Sequence, residues 1–459
     1  MRLARLIGPE LEALLHDNPE GVRELLDEIH PEDIADIIDE LDDTRATELL
    51  TELPAEYAAQ VFSRIDEDRQ TELAETMGLG STALIAVEMD GDDRTDFYSE
   101  LPPDMGQQLL KELEKVDPEA AEEVEELARW PETSAGGLMT TGYWSAPHDG
   151  LMSDALAAIR QHADESVVQD VVYVLDEEAG LLGFLTIRDL VVAHPNDPIA
   201  EQMRRNLVTV PPEMDQEEVA RVMGKYDLSA LPVVDPRGAM LGVVTPDDII
   251  DVIEEEANED VHKMAAVQPL DDAYFDVTFL TFLKKRAPWL VVLFMGGFLT
   301  AWAMKSFQGV LSSVAELSFY VPLLISAGGN SGSQSSSLII RGLAVGDVST
   351  SDWWRVLLRE ATQGLTMGGL LALLGAARVL LSGSAPTMAL LIGVTIVCIV
   401  TLGCLTGAMM PLVLHRVGLD PATSSTPFIA TLIDVLGILI YLSLATWFLG
   451  DILRQAAGG

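Results

Sequence analysis

Residues 1–130 carry apolar side chains three and four apart with acids between them, the spacing of amphipathic helices. Pro-Glu-Asp-Ile-Ala-Asp-Ile-Ile-Asp-Glu-Leu at 31–41 and Pro-Ala-Glu-Tyr-Ala-Ala-Gln-Val-Phe at 54–62 read as two copies of one short helix–turn unit, and a third begins near Asp90. Short helices cannot bury an apolar face alone, so the pattern predicts a stacked helical repeat. From 137 to 257 the pattern changes. Leu182-Gly-Phe-Leu-Thr-Ile-Arg-Asp-Leu-Val recurs fifty-nine residues later as Leu241-Gly-Val-Val-Thr-Pro-Asp-Asp-Ile-Ile, and each copy follows a β-branched strand (171–175 and 231–234). Beyond the second copy, Ile249, Ile250, Ile253, Ala257 and Val261 keep helical spacing, predicting one long amphipathic helix with an acidic face.

Five apolar runs follow, at about 287–305, 317–341, 355–378, 386–415 and 421–450, each long enough to cross a bilayer as a helix. Placing the N-terminus inside puts Lys284, Lys285, Arg286, Arg341, Arg355, Arg359 and Arg416 on the cytoplasmic side, and only Lys305, Arg378 and Arg454 outside. The opening Met1-Arg-Leu-Ala-Arg leads straight into acidic helix pattern rather than a signal-peptide core. The expected location is therefore a bacterial-type plasma membrane, with the front half and N-terminus cytoplasmic and the C-terminus outside.

Charge sharpens this division. The net charge is −45, and all of it lies in residues 1–286, where 21 bases face 66 acids. Such a surface repels nucleic acid and attracts cations, which fits a carboxylate-built divalent-ion sensor, a salt-adapted surface, or both. Cys398 and Cys404 both fall in one apolar run, so neither a disulfide framework nor a thiolate metal site is expected. There is no nucleophile–base pair, phosphate loop or metalloprotease motif, and no enzymatic role is expected.

The candidate chemistry centres on Asp434, the one charged residue in the thirty-residue run 421–450. A carboxylate in mid-membrane costs roughly 2.5–3.5 kcal/mol on insertion scales, so it should face protein or water and handle a cation. The second run contains Gly328-Gly-Asn-Ser-Gly-Ser-Gln-Ser-Ser-Ser, whose small residues allow close helix approach and whose Asn330 and Gln334 need partners, as a pore lining provides. Asp92 and Asp96, four apart, read either as a solvated acidic face or as a metal site. Asp248, Asp251, Glu255, Glu256, Glu259 and Asp260 form the polar face of the connecting helix, which is either a solvated linker or screened by a cation.

The tandem at 182 and 241 resembles a pair of CBS (cystathionine-β-synthase-type) repeats. That resemblance implies a regulatory module that dimerises and can bind an adenosine nucleotide such as ATP, through Asp189 or Asp248, with Thr186 and Arg188 beside the first. Leu228 stands before Ser229 where an aromatic adenine clamp is wanted, so nucleotide binding stays open. The whole order is then a multidomain membrane protein: an all-α superhelical domain at 1–130, an α/β tandem CBS domain at 131–246, an acidic connecting helix at 247–270, and a transmembrane domain of five helices at 271–459.

That order resembles the MgtE family of magnesium channels. The motifs carrying the resemblance are Gly328-Gly-Asn-Ser-Gly-Ser-Gln with Leu338-Ile-Ile-Arg-Gly-Leu-Ala, Asp420-Pro-Ala, Pro427, and Ala430-Thr-Leu-Ile-Asp-Val-Leu-Gly. Gly136-Gly-Leu-Met-Thr and Asp247-Asp-Ile-Ile-Asp-Val-Ile-Glu-Glu-Glu-Ala also match. The resemblance implies a homodimer in lipid with no obligatory further protein partner. Its pore site is Asp434, assisted by the Ala430 backbone oxygen and by second-span polar groups such as Asn330. It also implies closure when excess cytosolic Mg²⁺ bridges Asp92, Asp96, Gly137, Glu217, Asp227, Asp248, Asp251, Glu256, Glu259 and Asp260. One departure is Thr426: Asn stands there in a member of the family, which implies different coordination at the pore mouth. The residues themselves agree with magnesium. Mg²⁺ dehydrates reluctantly, so one carboxylate per chain plus carbonyl and amide oxygens suits a largely hydrated ion. No Cys or His is placed to select softer metals, His415 lying at a span end. The rival reading is a secondary transporter coupling a divalent cation to H⁺ or Na⁺ through Asp434; a nucleotide-sensing regulator without transport would leave the polar second span without purpose.

Overall fold

A computed structural model describes residues 29–161, 168–270, 274 and 277–450. The chain forms two compact units, Met1–Ile253 and Glu254–Gly459. Residues 1–28, part of the expected helical repeat, lie outside the described residues, as do 451–459 with Arg454.

Among the described residues the first unit opens with eight helices: α1 (Pro31–Glu40), α2 (Asp43–Glu52), α3 (Ala55–Phe62), α4 (Glu67–Met77), α5 (Leu79–Ala86), α6 (Gly91–Glu100), α7 (Pro103–Val116) and α8 (Pro118–Leu127). Their starts are written locally. Pro31, Pro103 and Pro118 open helices where the missing N–H is harmless, and Asp42 and Asp117 accept N–H bonds from Arg45 and Glu119 at 3.2 and 2.9 Å. The repeats at 31–41 and 54–62 become α1 and α3, and the third becomes α6. Packing is superhelical: α1 lies on α2 and α3, α3 on α5, α4 on α6, and α5 on α7. Ile34, Ile37 and Ile38 of α1 join Leu49, Phe62, Leu73, Leu109 and Val124 in one buried core. Within it Arg94 is 5% exposed, donating to the Ala86 and Met89 carbonyls at 2.7 and 2.6 Å and to Glu123 at 2.9 Å, which ties α6 to the end of α5 and to α8.

The same unit continues as two matching α/β halves. In the first, β1 (Tyr143–Pro147) pairs parallel with β2 (Val168–Leu175) across α9 (Met152–Gln161), and β2 pairs antiparallel with β3 (Leu181–Thr186), which runs into α10 (Ile187–Val192). After a short α11 (Ile199–Gln202), Val210 makes a parallel bridge to Val233 of β4 (Leu231–Val234) across α12 (Gln216–Tyr226). β4 pairs antiparallel with β5 (Met240–Val244). Thr140 bridges to Val243 and Gly180 to Ala239, stitching the halves together. The repeat is visible at single-atom level. Thr186 donates its hydroxyl to Asp189 at 2.7 Å, and Thr245 to Asp248 at 2.6 Å, each pair closing the start of the next helix. That second helix is α13 (Pro246–Met264).

The second unit is helical: α14 (Phe279–Ser306), α15 (Gln308–Ser313), α16 (Leu317–Ala344), α17 (Trp353–Leu381), α18 (Pro386–Arg416) and α19 (Thr426–Phe448). Among the described residues four helical stretches are long and apolar enough to cross a membrane, Phe279–Ser306, Thr350–Leu381, Pro386–Arg416 and Thr426–Phe448. The helix at the second expected run, α16, is as long as α14 but diluted by its Gly, Ser, Asn and Gln residues. Its small residues face protein: Gly328, Gly329, Ser331, Gly332, Ser335 and Ser336 are all buried, and α16 packs on both α18 and α19, whereas the longer polar side chains Asn330 and Gln334, expected to find partners, are exposed. The cause is the absence of side chains on both partners. A Cβ added at Gly403 would lie 2.4 Å from the Gly328 carbonyl oxygen, and one at Gly407 2.0 Å from that of Gly332, so two glycine pairs one turn apart let the backbones touch.

Candidate cation site and its controlling elements

Asp434 sits about two turns into α19. That helix starts cleanly, with the Ser425 hydroxyl accepting the Phe428 N–H at 3.4 Å and Pro427 in the first turn. The Asp434 carboxylate is half-buried, and among the described residues no hydrogen bond or ion pair engages it. Ala430 lies one turn before Asp434, and Gly329 of α16 comes up against it: a Cβ built on Gly329 would be 3.5 Å from the Ala430 Cβ. Asn330 follows Gly329 but turns toward its own helix, donating to the Ser326 hydroxyl at 3.4 Å with its side chain exposed.

The segment just before α19 is more heavily built than its sequence announces. Ser333 donates to the Thr426 carbonyl and Ser336 to the Ser424 carbonyl, both at 3.3 Å, so α16 holds the backbone that enters α19. Asp420 accepts the Ala422 N–H at 2.7 Å. The end of α13 meets the same segment: Lys263 binds Asp420 at 2.7 Å and Glu259 at 2.5 Å, and the Thr426 hydroxyl donates to the Met264 carbonyl at 3.0 Å. Burial works against the Lys263 charge, but its bonds to Asp420 and Glu259 outweigh it and hold its pKa above the usual lysine value. Thr426, noted as a departure at the pore mouth, thus spends its hydroxyl on the connecting helix.

A second group of acids lies in the first unit. Asp92 is only 7% exposed, and its Oδ1 has no hydrogen-bond partner. The solvated-face reading therefore fails for Asp92, because helix spacing says nothing about which face another element covers. Desolvation, then repulsion from Asp248, Asp93 and Asp90, raises its pKa well above the ordinary carboxylate value. Burial and the neighbouring Asp90 push Asp93 up to about 6; burial, Asp93 and Asp248 push Asp96 up to about 7. Asp248 is raised as well, by desolvation against the opposing pull of its Thr245 bond. So Asp92, Asp96 and Asp248 do come together, with Asp90, Asp93 and Asp247 around them.

The remaining candidates are spread out. Ala135 donates to the Met214 carbonyl at 2.7 Å and Gln216 to the Thr133 carbonyl at 3.0 Å, which sets the Gly137 loop beside the start of α12 and Glu217. Glu217 is held by Arg221 at 3.0 Å. Asp227 caps the opposite end of α12 at φ +48°, about 15 Å along the helix. Asp251, Glu256 and Asp260 follow Asp248 along α13. Among the described residues no group of three or more His, Cys, Asp or Glu is arranged to hold a metal ion. Of the nucleotide candidates, Asp189 accepts from Thr186 and from Arg204 at 2.9 Å; burial opposes ionisation, yet these bonds hold its pKa below the usual range. Arg188 is exposed beside it.

Two buried charged residues escaped the sequence reading, Arg94 and Glu360. Glu360 of α17 is 5% exposed and accepts a 2.6 Å bond from Ser335 of α16. Val356, Glu360, Gly364 and Gly368 are all buried at intervals of four, so the small-residue stripe of α17 marks that face, but Arg359 beside Glu360 gives it the look of a span end.

Three family descriptions match this chain: a divalent cation transporter description, MgtE, over residues 321–444, the MgtE intracellular N domain over 29–133, and the CBS domain over 198–255. The magnesium transporter MgtE of Thermus thermophilus is 41% identical over 446 residues, covering 95% of this chain and 96% of that protein. The chain belongs to the MgtE family. The magnesium transporter MgtE of Bacillus subtilis is 30% identical over 93% of this chain and 94% of its own length. Among solved structures, the cytosolic domain of the Mg²⁺ channel MgtE in complex with ATP matches at 38% identity and TM-score 0.50, over 52% of this chain and 97% of that one. The CBS match covers only the second repeat; the first is carried by the fold itself, through β1–β3 and the Thr186–Asp189 pair that repeats at Thr245–Asp248.

Proposed function

We propose that this MgtE-family chain is a magnesium channel, passing Mg²⁺ along the α16–α19 contact with Asp434 as the ion-binding group. The observation that carries it is the half-buried, unpartnered Asp434 carboxylate one turn from the Gly329–Ala430 contact. A carboxylate kept there without a basic neighbour needs a cation, and backbone and amide oxygens nearby suit an ion that keeps most of its water. Asn330 and the Ala430 carbonyl are the assisting oxygens. Two copies of the chain would face two such acids across an axis, and the exposed apolar surface of α14, including Phe294, Phe298 and Trp302, suits lipid or that second copy.

Closure by cytosolic Mg²⁺ follows from the acids of the first unit and α13. With their charges crowded, Asp92, Asp96 and Asp248 repel; a divalent ion removes that repulsion and favours the packed arrangement. Gly137, Glu217, Asp227, Asp251, Glu256, Glu259 and Asp260 are further proposed control positions. The Lys263–Asp420 and Thr426–Met264 bonds give α13 a direct hold on the segment before Asp434. An adenosine nucleotide would be held at Asp189, already ionised for ribose hydroxyls, with Arg188 free in solvent for phosphate.

Reconstitution in liposomes with an internal Mg²⁺-sensitive dye tests the pore assignment. Asp434→Ala is expected to lower the rate of Mg²⁺ entry by about tenfold or more, a loss of ~1.4 kcal/mol of ion stabilisation. Unchanged entry removes Asp434 from the path.

A further inference from the structure

We propose that Glu360 is a positioning residue for ion passage, one that sets α16 against α17 so that α16 can hold the backbone entering the Asp434 helix. The proposal rests on the transport reading above and adds to it a residue outside the pore. Glu360 continues the stripe Val356, Gly364, Gly368 on the buried face of α17. Small residues there are explained by contact: a Cβ on Gly364 would lie 2.7 Å from the Thr401 Cα, and one on Gly368 2.9 Å from the Val397 Cα, both of α18. A carboxylate in the same stripe is not explained by packing, because burying one is costly unless it is bonded. Its bond is from the Ser335 hydroxyl at 2.6 Å, a buried contact between α17 and α16.

Ser335 belongs to a run of α16 hydroxyls with divided duties. Ser333 and Ser336, two residues before and one after it, donate to the Thr426 and Ser424 carbonyls. All three bonds depend on the rotation and height of one helix. On another side α16 meets α18 through glycine contacts, and the Tyr441 hydroxyl donates to the Leu317 carbonyl at its start, about five turns from Ser335, so the bond to Glu360 helps fix the setting where Ser333 and Ser336 act. The path then continues to α13, since the Thr426 hydroxyl donates to the Met264 carbonyl and Lys263 binds Asp420. Glu360 therefore acts at a distance, through Ser335, on the segment where the connecting helix is fastened.

Hydrogen exchange of the full-length protein in lipid reads this directly, without depending on transport. Glu360→Ala and Ser335→Ala should each speed exchange of the 422–429 amides by about fivefold, the order expected for one lost buried hydrogen bond, while α14 stays unchanged. Glu360→Gln keeps an oxygen for Ser335 and should restore protection. In the same preparations, the cytosolic Mg²⁺ concentration for half closure should shift by about threefold in both alanine variants, and the double variant should shift no further, as two ends of one bond require. Protection of 422–429 unchanged in Ser335→Ala, additive shifts in the double variant, or loosening spread evenly over α14 would overturn the proposal. A wild-type protein that passes no Mg²⁺ would instead overturn the transport reading, with the exchange result standing on its own.

Discussion

Asp434 and Asp92 are both carboxylates withdrawn from bulk water, and their surroundings suit different tasks. Asp434 has no charged neighbour among the described residues, so it can take up and release an ion singly. Asp92 is crowded by Asp248, Asp93 and Asp90, so its charge strains the fold until something screens it. This has a pH sign. A carboxyl whose folded pKa is raised stabilises the folded state least when ionised, so stability falls as pH climbs from the unfolded value near 3.8 through about 7, the value for Asp96. Solvent at the exposed edge of Asp96 screens part of this effect, and the buried Asp92, raised in the same direction, adds to it. In chelator, the melting midpoint of the full-length protein should drop between about pH 5 and pH 8, and added Mg²⁺ should restore more of it at the higher pH. Asp92→Asn should raise the chelator midpoint at about pH 8 by ~3 °C, near 1 kcal/mol for a domain of this size, and flatten the pH slope. A midpoint that rises with pH in the wild type would count against the cluster as a Mg²⁺-responsive element.

At the scale of elements, the α16–α18 crossing brings backbone against backbone at two glycine pairs. Gly407→Leu places carbon where the Gly332 carbonyl oxygen lies, 2.0 Å from the position of a Cβ, and flexible side chains cannot yield there because the obstacle is backbone. Overpacking of this kind costs about 1–3 kcal/mol or more, so detergent-solubilised protein should melt several degrees lower. Gly369→Ala on α17 is the matched control: nothing lies within 4 Å of its added Cβ, and its midpoint should hold or rise slightly. The glycines at 328 and 332 could be read from the sequence as a close-approach motif. Their partners Gly403 and Gly407 could not, because small residues mark a willing surface without naming the helix that meets it. The same limit hid Glu360, whose stripe was readable but whose partner Ser335 lies 25 residues earlier on another helix.

For the whole molecule, the prediction concerns control. Deleting residues 1–260 removes the crowded acids of the first unit and most of α13 while keeping Lys263, Met264 and every long apolar helix. Flux through that truncation should persist at internal Mg²⁺ concentrations that close the full-length protein, measured by patch recording from reconstituted membranes. Retained closure would move the sensor into the second unit. The organisation behind this was largely legible beforehand: helical repeat, paired α/β halves and long apolar helices follow from periodicity, since 3.6-residue and two-residue patterns report which face of each element is buried. What periodicity missed was fate at particular sites. Asp92 and Asp96 look alike along α6, but Asp92 is almost wholly buried whereas the partly desolvated Asp96 keeps an exposed edge.

By itself the sequence determined where helices begin, because caps and prolines act within a few residues, and that the fifth apolar run holds one charge that must meet a cation or a polar partner. It also determined the duplicated Thr–Asp starts of α10 and α13, fifty-nine residues apart. Only the tertiary structure decided that Asp434 is half-buried with no basic partner among the described residues, that Asp92 is buried with an unpartnered oxygen, and that Thr426 and Asp420 bind the end of α13. The reason is range. Local backbone chemistry is settled by neighbours along the chain, whereas burial and pairing are settled by residues brought together from far apart, such as Ser336 and Ser424, 88 positions away.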